Sequence, residues 1–528
     1  MIQIRNLRLD PGGDESRLKE LAAARAGTDA SRIAELKILK KSLDARKKGD
    51  IHYVYSVAAE IKGGDRQILK RKHKDVSAYQ KKEYRIPEYP KDAPRPVIAG
   101  FGPAGMFAAL VLARAGARPL VLERGACVEE RTKAVNAFRS GGPLDEKANV
   151  QFGEGGAGTF SDGKLNTGIN DERLFWVLEQ FHAHGAPESV TYDAKPHVGT
   201  DILVDVVRSF REEILSLGGE IRFHTRLDGL ITSESRLCGL KVSGPEGDYE
   251  LPCEDLILAI GHSARDTFEM LFRSGIAMER KPFSMGVRIE HRQCDIDAAQ
   301  YGDPDLDLPP ADYSLNVRLP DGTSAYTFCM CPGGEVIAAA SESGGVVTNG
   351  MSNSARDGAN ANSALLVTLH TEDFPGEGVL AGMRWQREIE QRAFACGGGN
   401  YHAPAQLLGD FLENRPSEGP GKVTPSYRPG VTWGELRRVR PERITYVLAN
   451  AIPELGKKLR GFDAPDAVLT APETRSSSPV RILREEDLSS ELKGLYPCGE
   501  GAGYAGGISS AAVDGMRCAE AVIRKHRK

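Results

Sequence analysis

Gly100-Phe101-Gly102-Pro103-Ala104-Gly105 spaces three glycines as G-x-G-x-x-G. That spacing suits the seating of a pyrophosphate. Gly100 permits a tight turn, Gly102 lets a phosphate approach the backbone, and Gly105 lets a helix pack on a strand. Pro103 and Ala104 open that helix, whose first N–H groups and positive dipole end face the anion. Glu123 follows eighteen residues past Gly105, with Arg124 beside it, at the end of the next apolar run. A carboxylate there can accept both hydroxyls of an adenosine ribose. It would repel a 2′-phosphate, so NADP is not expected at this position.

Two further clusters select among dinucleotides. Gln151 to Asn166 holds five glycines between Gly153 and Gly163, including Gly155, Gly156 and Gly158. Thr159 and Lys164 sit among them, and Phe152, Phe160 and Leu165 interleave. A loop this bare is expected to lie against a ligand, and a pyrophosphate and isoalloxazine suit it. The third cluster starts at an apolar run from Leu495, passes Gly499, Glu500, Gly506 and Gly507, and enters a helix at about Ile508. Glu500 is placed to hold ribityl hydroxyls. N–H groups near Gly506, Gly507 and Ile508 would face the N1 and O2 edge of a flavin, where a helix N-terminus stabilises the anionic reduced form. Gly261, after the 256–260 strand, belongs to the same expected FAD site. Thirteen of the 58 glycines fall in these three clusters.

With these residues the chain resembles the bacterial and plastid family of FAD-dependent dehydrogenases, or FAD-utilising oxidoreductases, with a glutathione-reductase-type FAD domain. The resemblance rests on the 97–123 fingerprint, FGEGGAGTFSDGKL at 152–165 and CGEGAGYAGGI at 498–508. AIGHSARDT at 259–267 and TRSSSPVRI at 474–482 also match. It covers nearly the whole chain and implies FAD, leaving the substrate open. Glu500 stands where the wider superfamily usually has Asp, a longer acid that reaches a ribityl hydroxyl less rigidly.

Catalytic side chains are harder to read. Arg475, with Ser476, Ser477 and Ser478, could hold an anionic group bidentately. His262 and Arg265 follow the 256–260 strand, Arg288 sits in an apolar strand, and His402 in a turn. Arg475, Ser477 and His262 are the catalytic candidates. Cys329 and Cys331, one residue apart on an expected strand, would face the same side and form only a strained bridge. They are read as core or cavity-lining residues. No second G-x-G-x-x-G occurs, so a nicotinamide donor would dock transiently over the flavin. No metal-ligand spacing, P-loop or G-x-S-x-G elbow occurs.

These residues need a scaffold. The 528 residues carry a net charge of −4, 27% charged and 40% hydrophobic side chains, which excludes a disordered chain and a membrane bundle. The eighteen uncharged residues Pro96–Ala113 are long enough to span a bilayer, but their glycines and Pro103 favour strand–turn–helix. Nine scattered cysteines do not form a secreted framework, so a cytoplasmic protein is expected. The fold class expected is α/β. A Rossmann-type FAD-binding domain with a parallel sheet is split between 91–280 and 471–528. An inserted mixed α+β substrate domain covers 281–470, and a small basic α+β module covers 1–90. In that module strands are expected at 2–9, 34–44 and 51–61, a helix at 15–25, and a charged linker from Lys62 to Pro96. Ser31 to Ile86 carries a net +9. With few interleaved aromatics this reads as a solvated face rather than a nucleic-acid surface. The function expected is hydride transfer between FAD and a small organic substrate. The alternatives are a flavoprotein acting on tRNA and a non-catalytic flavin-binding sensor.

Overall fold

The computed structural model describes residues 1–302 and 306–527. Its site-bearing sheet has five strands, in the order Leu495–Pro497, Leu256–Leu258, Val97–Ala99, Leu120–Leu122 and Glu220–Arg222. All neighbours run parallel. Four of the strands are apolar runs of three residues, buried throughout. Parallel strands read this way because helices cover both faces. Helix Pro103–Arg114 lies against helix Ile508–Arg527, and Gly515 allows the approach: a Cβ there would stand 2.1 Å from the Ala104 carbonyl oxygen. From Val97–Ala99 the chain runs outward to one side, then returns to the other side through Leu256–Leu258. At such a reversal the carboxyl ends of the strands leave a crevice for ligands.

Between Leu256–Leu258 and Leu495–Pro497 the chain builds a seven-stranded sheet. Its order is Asn316–Arg318, Ser324–Cys331, Asn360–Leu369, Phe283–Arg292, Val468–Glu473, Ala403–Leu407 and Val431–Trp433. All pairs are antiparallel except the last. Phe283–Arg292 is central and buried at nine of its ten positions, polar Arg288, Glu290 and His291 included.

The N-terminal residues form a four-stranded antiparallel sheet, ordered Ile33–Asp44, His52–Ile61, Ile2–Leu9 and Val76–Ala78. Helix Leu18–Ala26 packs on it around Ile2, Ile4, Leu18, Ala22 and Val57. The expected linker from Lys62 is corrected here. Helix Arg66–Lys70 and strand Val76–Ala78 lie within it, and Val76–Ala78 pairs with Ile2–Ile4. The strand is only three residues long, too short for alternation to mark it among charges. Helices Val128–Arg139 and Leu174–Ala183 also had no counterpart in the expected elements. Among the described residues no helix is long and apolar enough to cross a membrane.

Candidate active site around the glycine turns

Each glycine of the fingerprint has its own surroundings. A Cβ on Gly100, at φ +98°, would stand 2.3 Å from the Ala259 carbonyl oxygen. On Gly105 it would stand 1.9 Å from the Gly100 carbonyl oxygen. Neighbouring backbone therefore requires glycine at both. Gly102 differs: its Cβ would meet only the Gly156 Cα at 3.5 Å, an ordinary contact. Gly102 and the helix start at Pro103 line the cavity, and a pyrophosphate would fit against them there.

Folding brings the three clusters together. Gly155 N–H donates to the Phe101 carbonyl at 2.8 Å. A Cβ on Gly158 would touch Ile508, and one on Gly499 would stand 2.8 Å from Ala104. Ser509 Oγ donates to the Leu165 carbonyl at 2.6 Å, fixing the second helix start to the end of the glycine loop. The result is one cavity of about 480 Å³, a size usual for ligand sites.

Of the expected FAD residues, Gly100, Gly102, Pro103, Ala104, Glu123, Arg124, Gly156, Gly158, Lys164, Gly261, Glu500, Gly506, Gly507 and Ile508 line this cavity. Gly105, Gly155, Thr159 and Gly499 do not; they shape its wall from behind. Gly155 backs onto Thr159 and Val207. Gly499 donates its N–H to Asp514, which Arg484 also holds.

Glu123 already accepts from the N–H groups of Phe101 and Gly125 at 2.8 Å and Gly153 at 3.1 Å. It staples the fingerprint turn to the glycine loop and lines the cavity, with about one acceptor site left over. Arg124 is bound to Asp266 and lies 4.4 Å over the Phe152 ring. Burial pushes the Glu500 carboxyl up to about 7, against the pull of the Gly507 N–H and Lys281.

One catalytic expectation is corrected and another is qualified. Arg475 lines the cavity, with three of its five N–H groups engaged by protein partners. Its Nε and Nη2 donate to Glu390 at 3.0 and 2.8 Å and its Nη1 to Ser341 at 2.5 Å. Arg265 shares Glu390 from the other side. Two buried guanidiniums hold the Glu390 carboxyl well below the usual range. Ser477 is outside the cavity, which Ser476 lines instead. Arg288, by contrast, is spent, with Glu473, Asn349, Asn362 and the Cys329 carbonyl on its five N–H groups. His262 does line the cavity, its Nε2 3.9 Å from Glu500. Burial, with Arg475 and Arg265 nearby, pushes it down to about 3, so the ring is neutral.

Other residues of the site were given no role by the sequence. Arg131, fully buried, donates to the carbonyls of Asn149, Val150, Gly153 and Glu154 and so clamps the glycine loop. Asp162, paired with Arg356 and Ser352, fixes the far end of that loop to the seven-stranded-sheet region. Such arginines are ordinary in sequence, and only the carbonyls gathered around Arg131 reveal its role.

Comparison with known proteins adds the family. Residues 282–476 match the model of the FAD-dependent protein, C-terminal domain-like family, and residues 1–60 match a domain of unknown function. A Clostridium beijerinckii protein described as uncharacterized is 47% identical over 533 residues, 99% of each chain. Among solved structures, E. coli quinol fumarate reductase is 11% identical, with 82% of this chain and 70% of that one covered and a TM-score of 0.36. The glycerol-3-phosphate dehydrogenase from Bacillus halodurans, complexed with FAD, is 11% identical, with 83% and 66% covered and a TM-score of 0.35. Likenesses of that size transfer no substrate. The chain belongs to the family of the Clostridium protein, carries the FAD-dependent C-terminal domain, and its cofactor is FAD.

Proposed function

We propose that the protein is an oxidoreductase that passes hydride between bound FAD and a small organic substrate. The observation that carries this is the continuity of one cavity. It begins at the two helix starts, Gly102–Pro103 and Gly507–Ile508, and extends to Asp312–Ser314 and Thr327–Met330 of the seven-stranded-sheet region. In this reading 91–280 and 471–528 hold the cofactor, 281–470 supplies the substrate wall, and 1–90 is a separate module. FAD supplies reversible two-electron chemistry. The chain's own residues do the rest. The glycine turns seat the pyrophosphate, Glu500 faces the ribityl chain, and neutral His262 offers a hydrogen bond that does not change over the physiological pH range. A nicotinamide donor, with no second fingerprint to hold it, docks transiently at the same opening.

The test is spectroscopic. Purified protein should be yellow or take up added FAD, bleach anaerobically with NADH or NADPH, and regain colour when a substrate oxidises it. A colourless protein that takes up no FAD overturns the reading. One that binds FAD but turns over no donor or acceptor is a sensor instead.

A further inference from the structure

We propose that Cys329 and Cys331 are a redox pair in the FAD cavity, closing to a disulfide when they give an electron pair to the flavin and reopening when they take it back. The proposal rests on the FAD reading above.

The strand carrying them is not regular. Ser324–Cys331 pairs in register with Asn360–Leu369 as far as Phe328 opposite Ala364. The next pair is Cys331 opposite Asn362, so the cysteine strand has one residue more than its partner. Such bulges re-aim side chains and gather beside active sites. The side chains therefore do not stand in the alternation of an extended strand. Cys329 takes a left-handed backbone, φ +42°, unfavourable for a residue with a Cβ. Arg288, fully buried and anchored by Glu473, holds that conformation by donating to the Cys329 carbonyl at 2.8 Å. A strained residue held by its surroundings is itself a pointer to function.

The bulge turns Cys329 into the cavity that Glu500, Gly506 and Ile508 also line. Cys331 is fully buried behind it, its sulfur 3.3 Å from the Cys329 carbonyl oxygen. The environments of the two thiols are opposed. The neighbouring Cys331 side chain, with the charges of Arg288 and Lys164, pulls the Cys329 thiol down against its own burial and Asp162. Burial and its neighbour push the Cys331 thiol up. A cavity-lining thiol beside a buried one is the asymmetry that thiol–disulfide exchange uses: one sulfur attacks, the other resolves.

The step balances. Two thiols lose two protons and two electrons, and the sulfur–sulfur bond forms. Oxidised FAD takes both electrons and one proton as anionic reduced flavin, and the second proton leaves to solvent. In the reverse direction reduced flavin opens the disulfide, and the external partner of the pair is a thiol or disulfide compound.

Holoprotein oxidised with diamide and freed of it is titrated anaerobically with dithionite while flavin absorbance is followed. The expected uptake is two electron pairs per flavin, falling to one in Cys331→Ser. In the oxidised wild type, the tryptic peptide Leu319–Arg356, which contains only these two cysteines, should resist alkylation and be lighter by two hydrogens. One electron pair per flavin together with a fully alkylated peptide overturns the proposal. The peptide measurement needs no variant, so misfolding of Cys331→Ser leaves the test intact. Absence of flavin absorbance is a separate result that counts against the FAD reading.

Discussion

At the scale of single residues, glycines of one motif are not equivalent. Gly102→Val should leave the apoprotein's melting temperature nearly unchanged, because its Cβ would meet the Gly156 backbone only at an ordinary contact distance, yet abolish FAD retention by filling the pyrophosphate cradle. Gly105→Ala should do the reverse. Its Cβ would stand 1.9 Å from a backbone oxygen, an overlap costing about 3 kcal/mol or more that thermal unfolding of the apoprotein would register. A Gly102→Val protein that stays yellow would sink the cradle assignment. His262 makes a pH prediction. Its folded-state value is about 3 against an ordinary 6.5. Between those values the unfolded chain takes up a proton that the folded chain refuses, so stability falls as pH drops through 6.5. The stability of His262→Gln relative to wild type should therefore improve by at most about 1.4 kcal/mol per pH unit below that point, checked by urea unfolding at several pH values. A constant difference across pH would show that His262 titrates normally. Sequence made the glycines legible because their geometry is local and repeated. It could not show that Arg475 pairs with Glu390, since the partner lies 85 residues away.

At the scale of elements, the carboxylate of Glu390 joins three of them. It stands on helix Ala381–Cys396 and receives Arg265, which begins the helix Arg265–Arg273, and Arg475, just past strand Val468–Glu473. All three side chains are at least nine-tenths buried. Breaking such a set strands charge in the interior, so Glu390→Gln should cost about 3–5 kcal/mol in urea unfolding. A cost below about 1 kcal/mol would mean that water reaches the cluster and that the elements are held by their apolar contacts alone. The strands of the five-stranded sheet, such as Val97–Ala99, Leu120–Leu122 and Leu256–Leu258, were legible as apolar runs because all three positions of each are buried. The helices Val128–Arg139 and Leu174–Ala183 were not, because they touch the core through few residues. Only Val128, Arg131, Val135 and Phe138 of the first are buried. The bulge at Cys329 was invisible as well. Sequence gives the two cysteines a separation of two, and only the facing strand shows that the register has slipped.

At the scale of the whole molecule, the basic N-terminal module is the part whose role the cavity does not explain. The module packs largely around its own core, from Ile2 to Val76. It meets the rest through an edge: the Lys41 backbone pairs with Tyr192 and Ala194, and Ile51 packs beside the seven-stranded sheet. Every residue lining the cavity lies at Ala99 or beyond. A chain beginning at Tyr79 should therefore keep its flavin spectrum, while losing some thermal stability as Ile51 leaves its neighbours. If the module instead delivers a polyanion such as tRNA to the flavin, the intact protein should bind RNA with an affinity that falls steeply with salt, and the shortened chain should not. The lysines and arginines of the module argue for little such binding. Arg8 is engaged with Asp50, Arg25 with Asp75, Lys41 with Glu15 and Arg46 with Asp44. Cations already paired with carboxylates release few counterions when a polyanion arrives, so these four add little to the attraction for nucleic acid. Salt-independent, weak RNA binding by both chains, with flavin retained in both, is the expected outcome. A soluble shortened chain without flavin would show that the N-terminal sheet supports the cofactor site from outside the cavity.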